Sequence, residues 1–167
     1  MEITIDTNRS EKEIYSEISR QLEFLIVPSD KIISNLSNFT ALLKQAFTKI
    51  SWVGFYICNN DKLFLGPFQG SSACTEITIG NGVCGTSAST RETIIVDDVD
   101  KFPGHIACDS NSKSEIVIPI IIDNNLWGVL DIDSPKKSSF SDLDKINLEN
   151  FCKLLTNKLE LDKFVLS

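Results

Sequence analysis

The chain has 167 residues, 42% of them hydrophobic, with 23 acidic against 16 basic side chains and a formal net charge of -7. That is one domain's worth of chain, apolar enough to bury a core, with no basic patch to track a phosphate backbone. No apolar run approaches the roughly 18 residues of a membrane span. The first twenty residues, MEITIDTNRSEKEIYSEISR, are acidic and polar and lack the apolar core of a secretory signal, so a cytoplasmic location is expected. Its five cysteines then read as thiols in a reducing compartment rather than as a disulfide framework.

A first helix is expected from Ser10 or Glu11, with Ser10 as cap and Ile14, Ile18, Leu22 and Leu25 as its apolar stripe. Pro28 ends it, and Ser29-Asp30 offers a cap for a second helix over about 31–47, whose inner face is Ile32, Leu36, Phe39, Leu43 and Ala46. Ser51 to Cys58 is aromatic and β-branched and predicts a strand; Asn59, Asn60 and Asp61 turn the chain, and Lys62 to Phe68 returns, cut short by Gly66-Pro67. A short strand is expected over Cys74 to Ile79. GNGVCG then opens a short helix through Ser87-Ala88, and Thr93 to Val96 forms another strand. From Lys101 to Ser114 there is no periodicity, and aperiodic loops of this length are often functional. A last helix runs from about 142 to 162, capped by Ser141, with Leu148, Phe151, Leu155 and Leu159 inward. The plan is α+β: an antiparallel sheet of about six strands over 51–133, with helices at 10–47 and 142–162 packed on one face, in a single domain spanning 1–167.

The stretch that organises the rest is CDSNSKSEIVIPIIIDNNLWGVLDIDS. Ser114 to Ile122 and Leu126 to Asp133 predict two strands joined through Asp123, Asn124 and Asn125. Centred on Asn124, the hairpin sets Glu115 opposite Asp133 and Val117 opposite Asp131. Period-two alternation then gathers Glu115, Asp131 and Asp133 on one face within about 10 Å, where they repel unless water or a cation relieves them. Solvent-facing strand ends are the bland alternative; against it, the two aspartates interrupt a very apolar run. Magnesium would bring phosphate-handling residues that are absent, which leaves an amine on a small ligand as the tidier partner.

Cys74, Cys84 and Cys108 fall at strand ends or in loops and stay open between reactive thiols, metal ligands and chance. Gaps of ten and twenty-four residues lack the close pairing of a structural zinc site. Cys58 and Cys152, inside apolar runs, read as small hydrophobes. Trp52, Gly54 and Tyr56 share one strand face, either as a slot that suits sulfur and partial positive charge or as core. His105 could assist proton transfer near Cys108, or do nothing catalytic.

The segments SWVGFY, LGPFQG, GNGVCG, FPGHIACDSNSKSEIVIPI and GVLDIDS carry a resemblance to the free methionine-(R)-sulfoxide reductases, small enzymes built on a GAF domain. The resemblance covers nearly the whole chain, and His105, Cys108 and Glu115 together make it more specific than a generic GAF pattern. It implies Cys108 as nucleophile, Cys74 as its disulfide partner and Cys84 as a third, exchanging cysteine. It also implies Glu115, Asp131 and Asp133 around the substrate ammonium, and Trp52 and Tyr56 around the methyl sulfoxide. Free methionine-R-sulfoxide is the implied substrate and thioredoxin the external reductant, with no bound cofactor or metal; a homodimer is common among such proteins. The rival readings are a non-catalytic GAF module that binds a small ligand and a thiol redox sensor with no small substrate.

Overall fold

Ser10 starts the first helix in a capping box: it is held by Glu13, whose carboxylate accepts from the Ser10 backbone 3.0 Å away. The computed structural model describes residues 4–106, 108, 110–164 and 166. Helix α1 (Glu11–Leu25) buries Ile14, Tyr15, Ile18 and Leu22. The link to α2 (Ile32–Ala46) is closed by buried Asn35, which accepts from the Val27 N–H at 2.8 Å and donates to the Val27 carbonyl at 2.9 Å. Ser29-Asp30 does not cap α2; Lys31 holds that position without a side-chain bond, because Asn35 already secures the turn.

Six strands follow: β1 (Trp52–Asn59), β2 (Lys62–Gln69), β3 (Glu76–Thr78), β4 (Ile94–Val96), β5 (Ser114–Ile122) and β6 (Asn125–Ser134). Every pairing is antiparallel, in the order β3-β2-β1-β6-β5-β4. Strand β2 is not cut short at Gly66-Pro67. A register shift opposite Phe55 absorbs the extra residue, and β3 pairs only with residues 62–64, so Pro67 lies where β2 borders no further strand. Helix α3 (Gly82–Thr90) begins at the glycine-rich segment, and a single 3-10 turn (Val99–Lys101) enters the aperiodic loop.

Alternation sends Val53, Phe55, Ile57, Ile116, Ile118, Ile120, Leu130 and Ile132 to one sheet face, where α1, α2 and α4 (Asp142–Lys158) cover them. The other face carries Trp52, Tyr56, Val117 and Val129 under α3 and the loops. At the head of α4, Asp144 is buried and accepts from Tyr15 Oη at 2.6 Å, Lys49 Nζ at 2.8 Å and the Ser141 N–H at 2.8 Å. The helix ends at Lys158, and a short 3-10 turn (Leu161–Lys163) replaces its expected last turn. Among the described residues no helix is long and apolar enough to cross a membrane.

Candidate active site

The β5–β6 hairpin sets the site. Its turn is two residues, Asp123 and Asn124, with φ of 47° and 64°, the left-handed pair that matches strand twist. Ile122 therefore faces Asn125, a register that would set Glu115 against Ile132. An irregularity at Trp127 adds one residue to β6: Ile121 pairs with Leu126, but Ile120 pairs with Gly128. Beyond it Glu115 stands opposite Asp133 and Val117 opposite Asp131. On the other side of β6, Trp52 pairs with Asp133 and Gly54 with Asp131, so three acids and the β1 aromatics share the α3 face.

Glu115, Asp131 and Asp133 are all buried. Cys84, in the first turn of α3, points at them: its Sγ lies 3.9 Å from Glu115 Oε1. Ligand atoms of Cys84, Glu115 and Asp131 all lie within 4.8 Å of one another, a set that could hold a metal ion. Ser112, buried in the loop before β5, donates to Asp133 Oδ1 at 2.6 Å. His105 Nε2 sits 3.9 Å from Glu115 Oε2. Burial, then the neighbouring charges of Asp131 and Asp133, pushes the Glu115 carboxyl well above the usual range. Burial also raises Asp131 and the Cys84 thiol, and it lowers His105, leaving that imidazole neutral near pH 7. The pocket thus keeps Glu115 and Cys84 protonated, while Asp131, pushed up to about 6, is ionised near pH 7.

Cys108 and Cys74 are joined in a disulfide, with Cα atoms 5.3 Å apart. Cys108 shares a small cavity of about 30 Å³ with Cys84, Glu115, Asp131, Asp133 and Tyr56. Tyr56 Oη donates to the Cys74 carbonyl at 3.0 Å and Trp52 Nε1 to the Ser71 carbonyl at 3.0 Å, so the two aromatics pin the loop that carries Cys74. Trp52 lies behind Tyr56, ring centroids 6.0 Å apart, and does not line the cavity. The space above Gly54 is filled: a Cβ there would meet Trp52 Cη2 at 2.4 Å and Phe68 Cβ at 2.5 Å. The expected gap is therefore where the indole itself rests. Cys152 is buried on the helix-covered face, while Cys58 is half-buried at the end of β1, with its Sγ 3.5 Å from the Asn60 carbonyl.

Sequence reasoning missed Ser112, Asn81, Gly82, Val83, Ile77 and Ile106 in the cavity wall. Gly82, at φ +63°, brings the α3 N-terminus under Ile106, whose Cγ1 lies 3.2 Å from where a Cβ would stand. The glycine-rich turn signalled the bend; nothing in the sequence tells which loop serine reaches an acid. A larger depression of about 550 Å³, between β5 and α4 and lined in part by Cys152, lies on the far side of the sheet from Cys84, Cys108 and the acids.

An antiparallel six-stranded sheet, helices on one face and a loop-roofed cavity on the other define the GAF fold. The chain belongs to the GAF domain family, whose model matches residues 33–159. It is 49% identical over 149 residues to GAF domain-containing protein A of Dictyostelium discoideum, covering 89% of this chain and 94% of that one. It is 44% identical over 161 residues to the free methionine-R-sulfoxide reductase of Saccharomyces cerevisiae, covering 92% and 89%. The structure of free methionine-R-sulfoxide reductase from Neisseria meningitidis in complex with its substrate superposes with a TM-score of 0.89 at 40% identity, covering 95% of this chain and 96% of that one. The family resemblance carried by the sequence motifs is borne out.

Proposed function

We propose that this protein reduces free L-methionine-(R)-S-oxide to L-methionine. The observation that carries the reading is the Cys74–Cys108 disulfide set against an acid-lined cavity. Relatives at 44% and 40% identity are named for this reaction. In the forward direction the Cys108 thiolate attacks the sulfoxide sulfur while the oxygen takes up protons, and Glu115, held protonated by burial, is suited to supply one. Methionine leaves and Cys108 is a sulfenic acid; the Cys74 thiol attacks it, the S–S bond forms and water departs. The disulfide form is thus the state after turnover.

The acids match an ammonium group, and the N-terminus of α3 matches a carboxylate, since no side chain caps it and Asn81, Gly82 and Val83 line the cavity. A zwitterion satisfies both ends. A peptide-bound residue would leave the buried Asp131 carboxylate facing an uncharged amide, at a cost of several kcal/mol. The cavity now holds little more than a water, so the segment bearing Ile106 and Cys108 must withdraw for an amino acid to enter, and reduction of the disulfide releases it. Cys74 and Cys108 are half-buried and reachable by an external dithiol, for which thioredoxin in the cytoplasm is the proposed donor. Exposed Phe24 and Ile33 give α1 and α2 an apolar surface suited to a second copy in a homodimer.

Incubation with racemic free methionine sulfoxide and dithiothreitol should yield methionine from the R isomer alone, and Cys108→Ser should abolish it. Product from neither isomer would favour a binding or redox-sensing role; full activity of Cys108→Ser would move the nucleophile elsewhere. Glu115→Gln, which removes the proton donor, should lower the rate of reduction by about tenfold or more, and Asp131→Asn should raise the apparent substrate dissociation constant by about tenfold or more.

A further inference from the structure

We propose that Cys84, Glu115 and Asp131 form a binding site for a zinc-like divalent cation, with His105 at its rim, in the disulfide form of the protein. One oxygen of Asp131, Oδ1, is buried with no hydrogen-bond partner among the described residues, although the residue as a whole is 93% sequestered from solvent. A buried carboxylate oxygen without a donor is costly and asks for a cation. The neighbouring groups supply no fixed positive charge: the basic group facing Glu115 is the imidazole of His105, 3.9 Å away.

The donor set is one thiol and two carboxylates, with a ring nitrogen close by, the mixed S/O/N chemistry that suits zinc better than magnesium or calcium. Ligand atoms around a tetrahedral zinc stand about 3.3–3.8 Å apart, given bonds of about 2.0–2.3 Å. The three donors already lie within 4.8 Å of one another, so a contraction of about 1 Å by side-chain rotation closes the site. The sequence lacks the close cysteine pairing of a closed structural zinc site. This site differs: it has three protein donors from three elements and an open fourth position for water or His105. Its wall also holds Asp133, which is engaged by Ser112.

Binding converts the Cys84 thiol to a metal-bound thiolate and releases its proton to solvent. No electron moves. The Cys74–Cys108 bond matters because it removes Cys108, which lines the same cavity, and its partner Cys74 from competition, leaving Cys84 as the sulfur donor at the acids. A cation seated there would occupy the position argued above for the substrate ammonium and hold the oxidised protein closed to it.

The test is a cobalt(II) titration of the intact disulfide-form protein without reductant, followed by zinc competition, and it needs no turnover. Failure of the reductase assay therefore leaves it unaffected. One equivalent of cobalt should give a thiolate-to-cobalt charge-transfer band that zinc abolishes. The band should persist in Cys58→Ser and vanish in Cys84→Ser, and Asp131→Asn should weaken binding at least about tenfold. No band with the wild-type chain, a band that survives Cys84→Ser, or unchanged affinity in Asp131→Asn would each overturn the site. The asparagine variant, nearly isosteric, keeps the question answerable if the serine variant does not fold.

Discussion

Glu115 is set by its neighbours rather than by water. It lies under α3, with an acid across the β5–β6 ladder and a second acid diagonal to it. Its folded pKa is raised, so the native state keeps the proton to higher pH than the unfolded chain, whose glutamate titrates near 4.3. Stability from this group is full below about pH 4 and is lost as pH rises through the folded value. Glu115→Gln removes that loss, because the amide stays neutral throughout. Urea midpoints of wild type and variant should therefore be closest near pH 4 and diverge in favour of the variant toward pH 8; a gap independent of pH would contradict the buried, protonated acid. Cys84 titrates under the same pressure, as burial beside two acids raises its thiol. Asp133, at the same depth, has a hydroxyl donor instead, Ser112 at 2.6 Å.

Hairpin β5–β6 reaches its functional register by a route that residue patterns only half reveal. A hairpin centred on Asn124 gives the observed pairing of Glu115 with Asp133 and Val117 with Asp131, and a one-residue slip of β6 would turn Asp131 and Asp133 toward the helices. The turn is one residue shorter than the expected Asp123–Asn124–Asn125: two residues turn the chain, and Trp127 restores the phase by standing out of register, with its indole donating to the Leu161 carbonyl at 2.8 Å. Such compensation depends on a tertiary contact from the far end of the chain, which local propensity cannot report. Capping was plainer. Ser10 with Glu13 and Ser141 with Asp144 are readable at a spacing of three, yet only the fold shows that Asp144 also ties α4 to α1 through Tyr15 and to Lys49. Asp144→Ala strips a buried acid from three donors and should cost about 3–5 kcal/mol in denaturant unfolding. A loss under about 1 kcal/mol would mean that Lys49 is satisfied by Glu11, 2.7 Å away, without it.

Across the whole molecule the sheet divides the labour. One face, packed by three helices, supplies the stability; the other, covered by α3 and loops, holds the thiols and acids. The helix-packed face and the gathering of the three acids are readable from periodicity, while the pairing of the thiols comes from a family resemblance, because loops that bring Cys74 to Cys108 across 34 residues leave no periodic trace. That cross-link ties the loop before β3 to the loop before β5. Closing a loop of this length restricts the unfolded chain by about 4 kcal/mol in the chain-entropy model. For a chain of this size that corresponds to a rise in Tm on the order of 10 °C over the dithiol form. Thermal melts of the oxidised and dithiothreitol-reduced protein should separate by that amount, with the oxidised form higher. In Cys74→Ser the two conditions should superpose near the reduced wild type, since no bond to Cys108 can form. Coincident wild-type melts would mean that the folded state loses on forming the bond as much as the unfolded chain does, and the oxidised pocket would then be a strained form rather than a resting one.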